Sequence, residues 1–163
     1  MLRMNYRRLV AVLLITAAPF SALVPASTQA AVPGSASPVN VDQAGLALRG
    51  YDPVAYFDSG RPTQGDAAIF TMFNGARYQF ATEAHRQAFL SEPTKYVPQF
   101  GGFCAVGTSF GEKVDADPAT GRVVGGKLYV NYNEKTQGVF NKDVTGTIAR
   151  AEQNWPKVKD KVQ

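Results

Sequence analysis

The chain has 163 residues, with 17 lysines and arginines against 13 aspartates and glutamates. That length supports one domain with an adequate core plus a leader. Arg3, Arg7 and Arg8 sit in the leader, so the remainder is close to neutral. No clustered basic face marks it as a nucleic-acid binder.

Residues 1–30 have the composition of a secretory signal: a basic start, an apolar run from Leu9 to Ala18, then small residues ending at Ala30. Pro19 and Pro25 interrupt the apolar run well short of the ~20 residues that a membrane span requires. The expectation is therefore cleavage after Ala30, a periplasmic or secreted product, and no stable transmembrane span. Arg7-Arg8 is a weak pointer to a twin-arginine route. Residues 31–39 are rich in Pro, Ser, Ala and Gly and read as a flexible linker.

The domain is expected over residues 40–156. Asn40 to Leu48 is too brief in its apolar pattern to assign. Asp52-Pro53 starts a turn, because proline fixes φ and the aspartate side chain bonds nearby amides. Val54 to Phe57 then reads as a buried segment. Asn74-Gly75 tolerates positive φ at both positions and predicts a hairpin between Ile69–Phe73 and Arg77–Phe80. Thr82 is a candidate N-cap for a helix to Leu90, and Pro93 stops it and opens a further short turn. A second hairpin is expected around Gly125-Gly126, from Arg122–Val124 and Lys127–Tyr132. Val144, Ile148, Ala151 and Trp155 recur at helical spacing, which predicts a helix from Asp143 to Asn154 with Pro156 as its stop. Residues 157–163 read as a frayed tail. No internal repeat is visible. The class is α+β, a single small domain of short antiparallel hairpins packed with two or three short helices.

Gly50-Tyr51-Asp52-Pro53-Val54-Ala55-Tyr56-Phe57, the Tyr78-Gln79-Phe80 strand, Phe89 to Tyr96 and Gly101-Gly102-Phe103-Cys104-Ala105 together resemble the secreted, stand-alone YHS-domain proteins of bacteria. The resemblance runs from Gly50 to Pro156 and implies a small metal-associated module. In metal-type members of that family one cysteine follows Asp-Pro-Val and two more, four residues apart, follow the Tyr/Phe strand. Here those places hold Ala55, Ala81 and His85. Alanine offers no lone pair, so a thiolate site is not implied unchanged.

Chemistry rests on few residues. Cys104 and His85 are the single cysteine and the single histidine. In an oxidising compartment a lone thiol is buried, metal-bound, reactive or paired with another chain. The glycines around Cys104 suggest a sulfur at the edge of a cleft, with the Tyr51–Phe57 segment as the opposite wall. Cys104 with His85, and Met72 or a tyrosine nearby, would suit copper or another transition metal. A surface histidine beside Arg86 is the plainer alternative. Tyr51, Tyr56 and Tyr78 are mainly core residues by pattern and join Cys104 as candidate ligand-binding residues. Asp115 and Asp117, with Glu112, lack the glycine and distant glutamate of a Ca²⁺ loop and read as a solvated turn. With no catalytic set recognisable, the expected function is an exported binding module. It would handle a small ligand or a transition-metal ion, with an unknown protein partner, as an accessory to a membrane or redox system. The alternative is a thiol-dependent redox protein or enzyme using Cys104.

Overall fold

A computed structural model describes residues 36–162, so the predicted signal and the first part of the predicted linker lie outside the described residues. Among the described residues the fold is α+β, with six α-helices and two antiparallel hairpins. In order these are α1 (Ala55–Asp58), β1 (Asp66–Phe73), β2 (Ala76–Phe80), α2 (Glu83–Ser91) and α3 (Pro93–Tyr96). There follow α4 (Ala105–Ser109), β3 (Asp117–Val124), β4 (Lys127–Asn131), α5 (Glu134–Lys142) and α6 (Val144–Val158). Among the described residues no helix is long and apolar enough to cross a membrane.

Local chemistry accounts for most of these boundaries. Asn74 and Gly75 adopt φ of 50° and 77°, and Gly125 and Gly126 adopt 55° and 73°. Two successive positive φ values match the right-handed twist of the flanking strands, so each pair closes a tight hairpin. Thr82 caps α2 by accepting the His85 N–H, and Asn133 caps α5 by accepting that of Thr136. Pro93 stands at the start of α3, where its missing N–H costs nothing.

The second half repeats the first, a correction to the sequence reading. Every element from β1 to the start of α3 recurs 51 residues later, from β3 to the start of α6, with equal lengths for the strands and for α2 and α5. Both hairpins carry the same irregularity in register, after Asp66↔Phe80 in one and after Asp117↔Asn131 in the other. Ahead of the hairpins the spacing is 52. Leu48-Arg49-Gly50 and Phe100-Gly101-Gly102 are matching left-handed turns, with φ of 51°, 48°, 80° and 53°, 61°, 83°. The junctions before α3 and α6 also agree: Glu92 has φ −142° and ψ 62°, Asp143 has −145° and 67°.

Each half has its own core. Phe89 and Tyr78 pack with Ala47, Val54, Phe80 and Tyr96 in the first. Their counterparts Phe140 and Tyr129 pack with Phe100, Cys104, Ala105 and Ala151 in the second. A third cluster of Leu48, Tyr56, Ala116, Leu128 and Val130 joins the halves. The seam is also polar: Arg49 pairs with Asp115 at 2.6 Å, and Asn40 donates to Asp115 Oδ1 and to the Gly102 carbonyl. Asp115 is therefore part of this seam rather than of a solvated turn.

Several expectations are revised at the edges. Helices α1, α4 and α5 add to those expected. Helix α6 continues through Pro156 to Val158, because a proline in the last turn forfeits one bond while the buried Val158 anchors the end. The residues around it are not a frayed tail. Lys113 Nζ donates to the carbonyls of Lys159, Lys161 and Ser37, tying the C-terminal turn to the segment read as linker. Pro38 and Val39 pack on Gly101, where a Cβ would collide with the Pro38 carbonyl oxygen.

Tyr56 lies under the irregular part of β3. Its hydroxyl donates to the Pro118 carbonyl at 2.8 Å, and its ring lies against Gly121, where a Cβ would overlap the ring and meet Cζ at 2.9 Å. Gly121→Ala is expected to destabilise the fold by about 1–3 kcal/mol through overpacking, read as a lower urea midpoint.

Candidate functional site

The site is built on the Asp-Pro turn. Asp52 is fully buried, and its carboxylate gathers four groups. Oδ1 accepts the N–H groups of Val54 at 2.8 Å and Ala55 at 3.4 Å, which starts α1. Oδ2 accepts the Ala81 N–H at 2.8 Å, at the switch from β2 to α2, and stands 2.6 Å from His85 Nδ1. A carboxylate taking two backbone donors on one side and one on the other is placed to accept from a hydrogen on Nδ1.

That leaves His85 Nε2 for other partners. It faces Asp58 Oδ2 at 3.7 Å, beyond hydrogen-bond distance. The imidazole side chain is 21% exposed and the Asp58 carboxylate 70% exposed, so both are reachable from solvent. Beside them opens a cavity of about 310 Å³ lined by Val54, Phe57, Asp58, His85, Ala88, Lys95 and Tyr96. Phe57 and Tyr96 meet edge to face at 5.2 Å and make its aromatic wall. The Lys95 ammonium lies 5.0 Å over the Tyr96 ring and 3.3 Å from Glu92. When the ring is neutral, Nε2 and the Asp58 carboxylate are two acceptors facing each other without a donor between them. The arrangement suits a cation or a ligand N–H or O–H group.

The residues singled out in the sequence do not converge. Cys104 is 1% exposed and sits in the second core, not at the edge of a cleft. Its sulfur accepts the Gly107 N–H at 3.3 Å and caps α4, and it stands 3.7 Å from Asn131 Oδ1. The Gly-rich context thus shapes a buried helix cap. Tyr51 and Tyr56 belong to the cluster joining the halves and Tyr78 to the first core, so none of the three faces the sulfur as a wall. Burial pushes the phenols of Tyr56 and Tyr78 well above the ordinary tyrosine range. His85 lies in the first half, bonded to Asp52 and not to Cys104, and Met72 is exposed on β1. Among the described residues no group of three or more His, Cys, Asp or Glu side chains stands ready to hold a metal ion.

No family model, curated protein or solved structure matches this chain. The site is therefore argued from its own geometry. Asp52 and Asp58 are the functional candidates that the sequence reading missed. The Asp-Pro turn was a visible signal for Asp52, but its reach to an imidazole 33 residues away was not.

The structure makes a direct statement about Cys104 reactivity. Burial pushes the thiol up, against smaller lowering by the N–H groups of Gly107, Tyr132 and Val106. Thiolate is the reactive species. Alkylation of the folded protein is expected to be slow, with a midpoint above the ~8.5 of an ordinary thiol. The folded state keeps its proton where the unfolded chain has lost it, so this contribution to stability is complete below ~8.5 and declines as pH rises above it. Fast alkylation at neutral pH would show an activated thiol instead.

Proposed function

We propose that this chain is an exported YHS-like binding module whose ligand site is the His85 pocket, working in the periplasm or outside the cell as an accessory to a membrane or redox system. The observation that carries the proposal is the pair of acceptors, His85 Nε2 and Asp58 Oδ2, 3.7 Å apart beside a cavity of about 310 Å³. The ligand is a small molecule presenting a cationic or N–H group to that pair, with its apolar part against Phe57 and Tyr96. The positions that hold cysteines in metal-type members supply a second support. Ala55 N, Ala81 N and His85 Nδ1 all bond to the one Asp52 carboxylate, so the three positions meet at one place.

A transition-metal ion is the second reading, favoured by the carboxylate behind the imidazole. A histidine that donates its other ring N–H to a carboxylate is fixed in tautomer and orientation and is a more basic ligand. His85 and Asp58 would supply two donors, and the rest of the shell would come from water, a small ligand or a partner protein. The thiol-dependent alternative is disfavoured by the burial of Cys104.

The test is a titration of the protein with Cu(I), Cu(II), Zn²⁺ and Ni²⁺, and with small primary and quaternary amines. Binding is expected to weaken about ten- to a hundredfold in His85→Ala and Asp58→Asn. No ion bound more tightly than micromolar would remove the metal reading, and no amine bound in the same range would remove the organic one.

A further inference from the structure

The internal repeat supplies a comparison within the chain. With the 52- and 51-residue spacings, Asp52 corresponds to Cys104, Val54 to Val106, Ala55 to Gly107 and Ala81 to Tyr132. The bonds correspond in part. Asp52 accepts the N–H groups of Val54, Ala55 and Ala81, whereas the Cys104 sulfur accepts that of Gly107 and the Val106 N–H donates to Asn131 Oδ1 at 3.2 Å. The shared task is to cap the short helix and pin it to the strand that leads into the longer one. A neutral sulfur and the Asn131 amide oxygen meet that task together in the second half.

The fourth partner is where the halves part. Asp52 also holds the His85 ring, while the counterpart of His85 is Thr136, whose hydroxyl donates to the Asn133 side chain. The counterpart of Asp58 is Phe110, which is 75% exposed. The polar set Asp52, Asp58 and His85 thus exists in one half only, on a scaffold that both halves share. Burying a carboxylate is costly unless its bonds compensate, and in the second copy the backbone donors at the start of the short helix are met by uncharged groups, the Cys104 sulfur and Asn131 Oδ1. The ionisable group therefore has a task beyond the cap.

We propose that Asp52 is a positioning residue for the His85 pocket: its carboxylate fixes His85 with the hydrogen on Nδ1 and presents Nε2 as an acceptor toward Asp58 and the cavity. This rests on the reading of that pocket as the ligand site, but its test needs no ligand. An unconstrained histidine side chain prefers the hydrogen on Nε2, so the tautomer reports the Asp52 contact directly. One histidine in the whole sequence makes the signal unambiguous.

The experiment is ¹⁵N NMR of the ring in the unliganded protein, with pH raised until the ring is neutral, for the wild type, Asp52→Cys and Asp52→Asn. The wild type is expected to show a pyrrole-like Nδ1 and a pyridine-like Nε2. Asp52→Cys, which places the second half's residue in the first, is expected to stay folded by circular dichroism and to revert to the Nε2–H form. Asp52→Asn is expected to revert likewise. A wild-type ring in the Nε2–H form, or variants that keep the Nδ1–H form, would overturn the proposal. So would unfolding of both variants, since the position would then be indispensable to the cap alone. Loss of the ligand reading with the tautomer result intact would remove the pocket's function and leave the positioning role standing.

Discussion

Asp52→Ala is expected to lower the unfolding free energy by about 2–4 kcal/mol, the combined effect of a lost cap and of buried donors left without acceptors. Three backbone N–H groups and one imidazole nitrogen lose their partner together. Asp52 is fully buried, so water does not readily replace it. The loss is larger than for an ordinary surface cap because the carboxylate joins α1 to the start of α2. Urea denaturation of wild type and variant measures it. A change within ~0.5 kcal/mol, the range of a neutral surface substitution, would show that the four bonds do not hold these elements together.

Phe89→Ala is expected to cost about 3–5 kcal/mol, the range for deleting a buried aromatic from a packed core. Phe89 is fully buried, and its ring lies 5.8, 5.1, 5.2 and 6.4 Å from those of Phe73, Tyr78, Phe80 and Tyr96. It is the residue on which β1, β2, α2 and α3 meet. Small domains have about 5–15 kcal/mol in total, so the variant should be partly unfolded near physiological temperature. Its counterpart Phe140 meets Tyr129 at 5.8 Å in the second core and should behave alike. A loss below ~1 kcal/mol for Phe89→Ala would show that the first half is not organised around this ring.

The parts of the fold that depend on neighbouring residues were legible in the sequence. Asn74-Gly75 and Gly125-Gly126 announce hairpins by backbone chemistry alone, and Thr82 and Pro93 mark helix boundaries in the same way. Helix α5 was hidden because Gly138 interrupts it and Phe140 is its single buried residue. Helix α4 was hidden inside a Gly-rich stretch that also suits a loop. The repeat escaped because its halves share a frame and few residues, among them Asp66 and Asp117, Gly75 and Gly126, Tyr78 and Tyr129, Glu83 and Glu134, and Phe89 and Phe140. The frame is set by left-handed turns, caps and strand lengths, and several residue types satisfy each of these.

The site was legible in part. His85 was marked as the one histidine, on a helix that the structure places as expected. Its partner was sought at Cys104, because a lone thiol in a Gly-rich turn attracts a chemical reading. The structure gives it instead a carboxylate from a turn 33 residues earlier. Nothing local in Asp52-Pro53 distinguishes a side chain that only caps its own turn from one that also reaches a neighbouring helix. The matched pair Asp52 and Cys104 shows both outcomes within one chain.

The most direct test of the central claim is calorimetric titration of the ion or amine that the wild type binds best into His85→Ala and Cys104→Ser, with thermal midpoints recorded alongside. Binding lost in His85→Ala and retained in Cys104→Ser is the predicted result, because the ligand site lies in the first half and the sulfur is a helix cap in the second. Binding retained in His85→Ala, or lost in a folded Cys104→Ser, would contradict it.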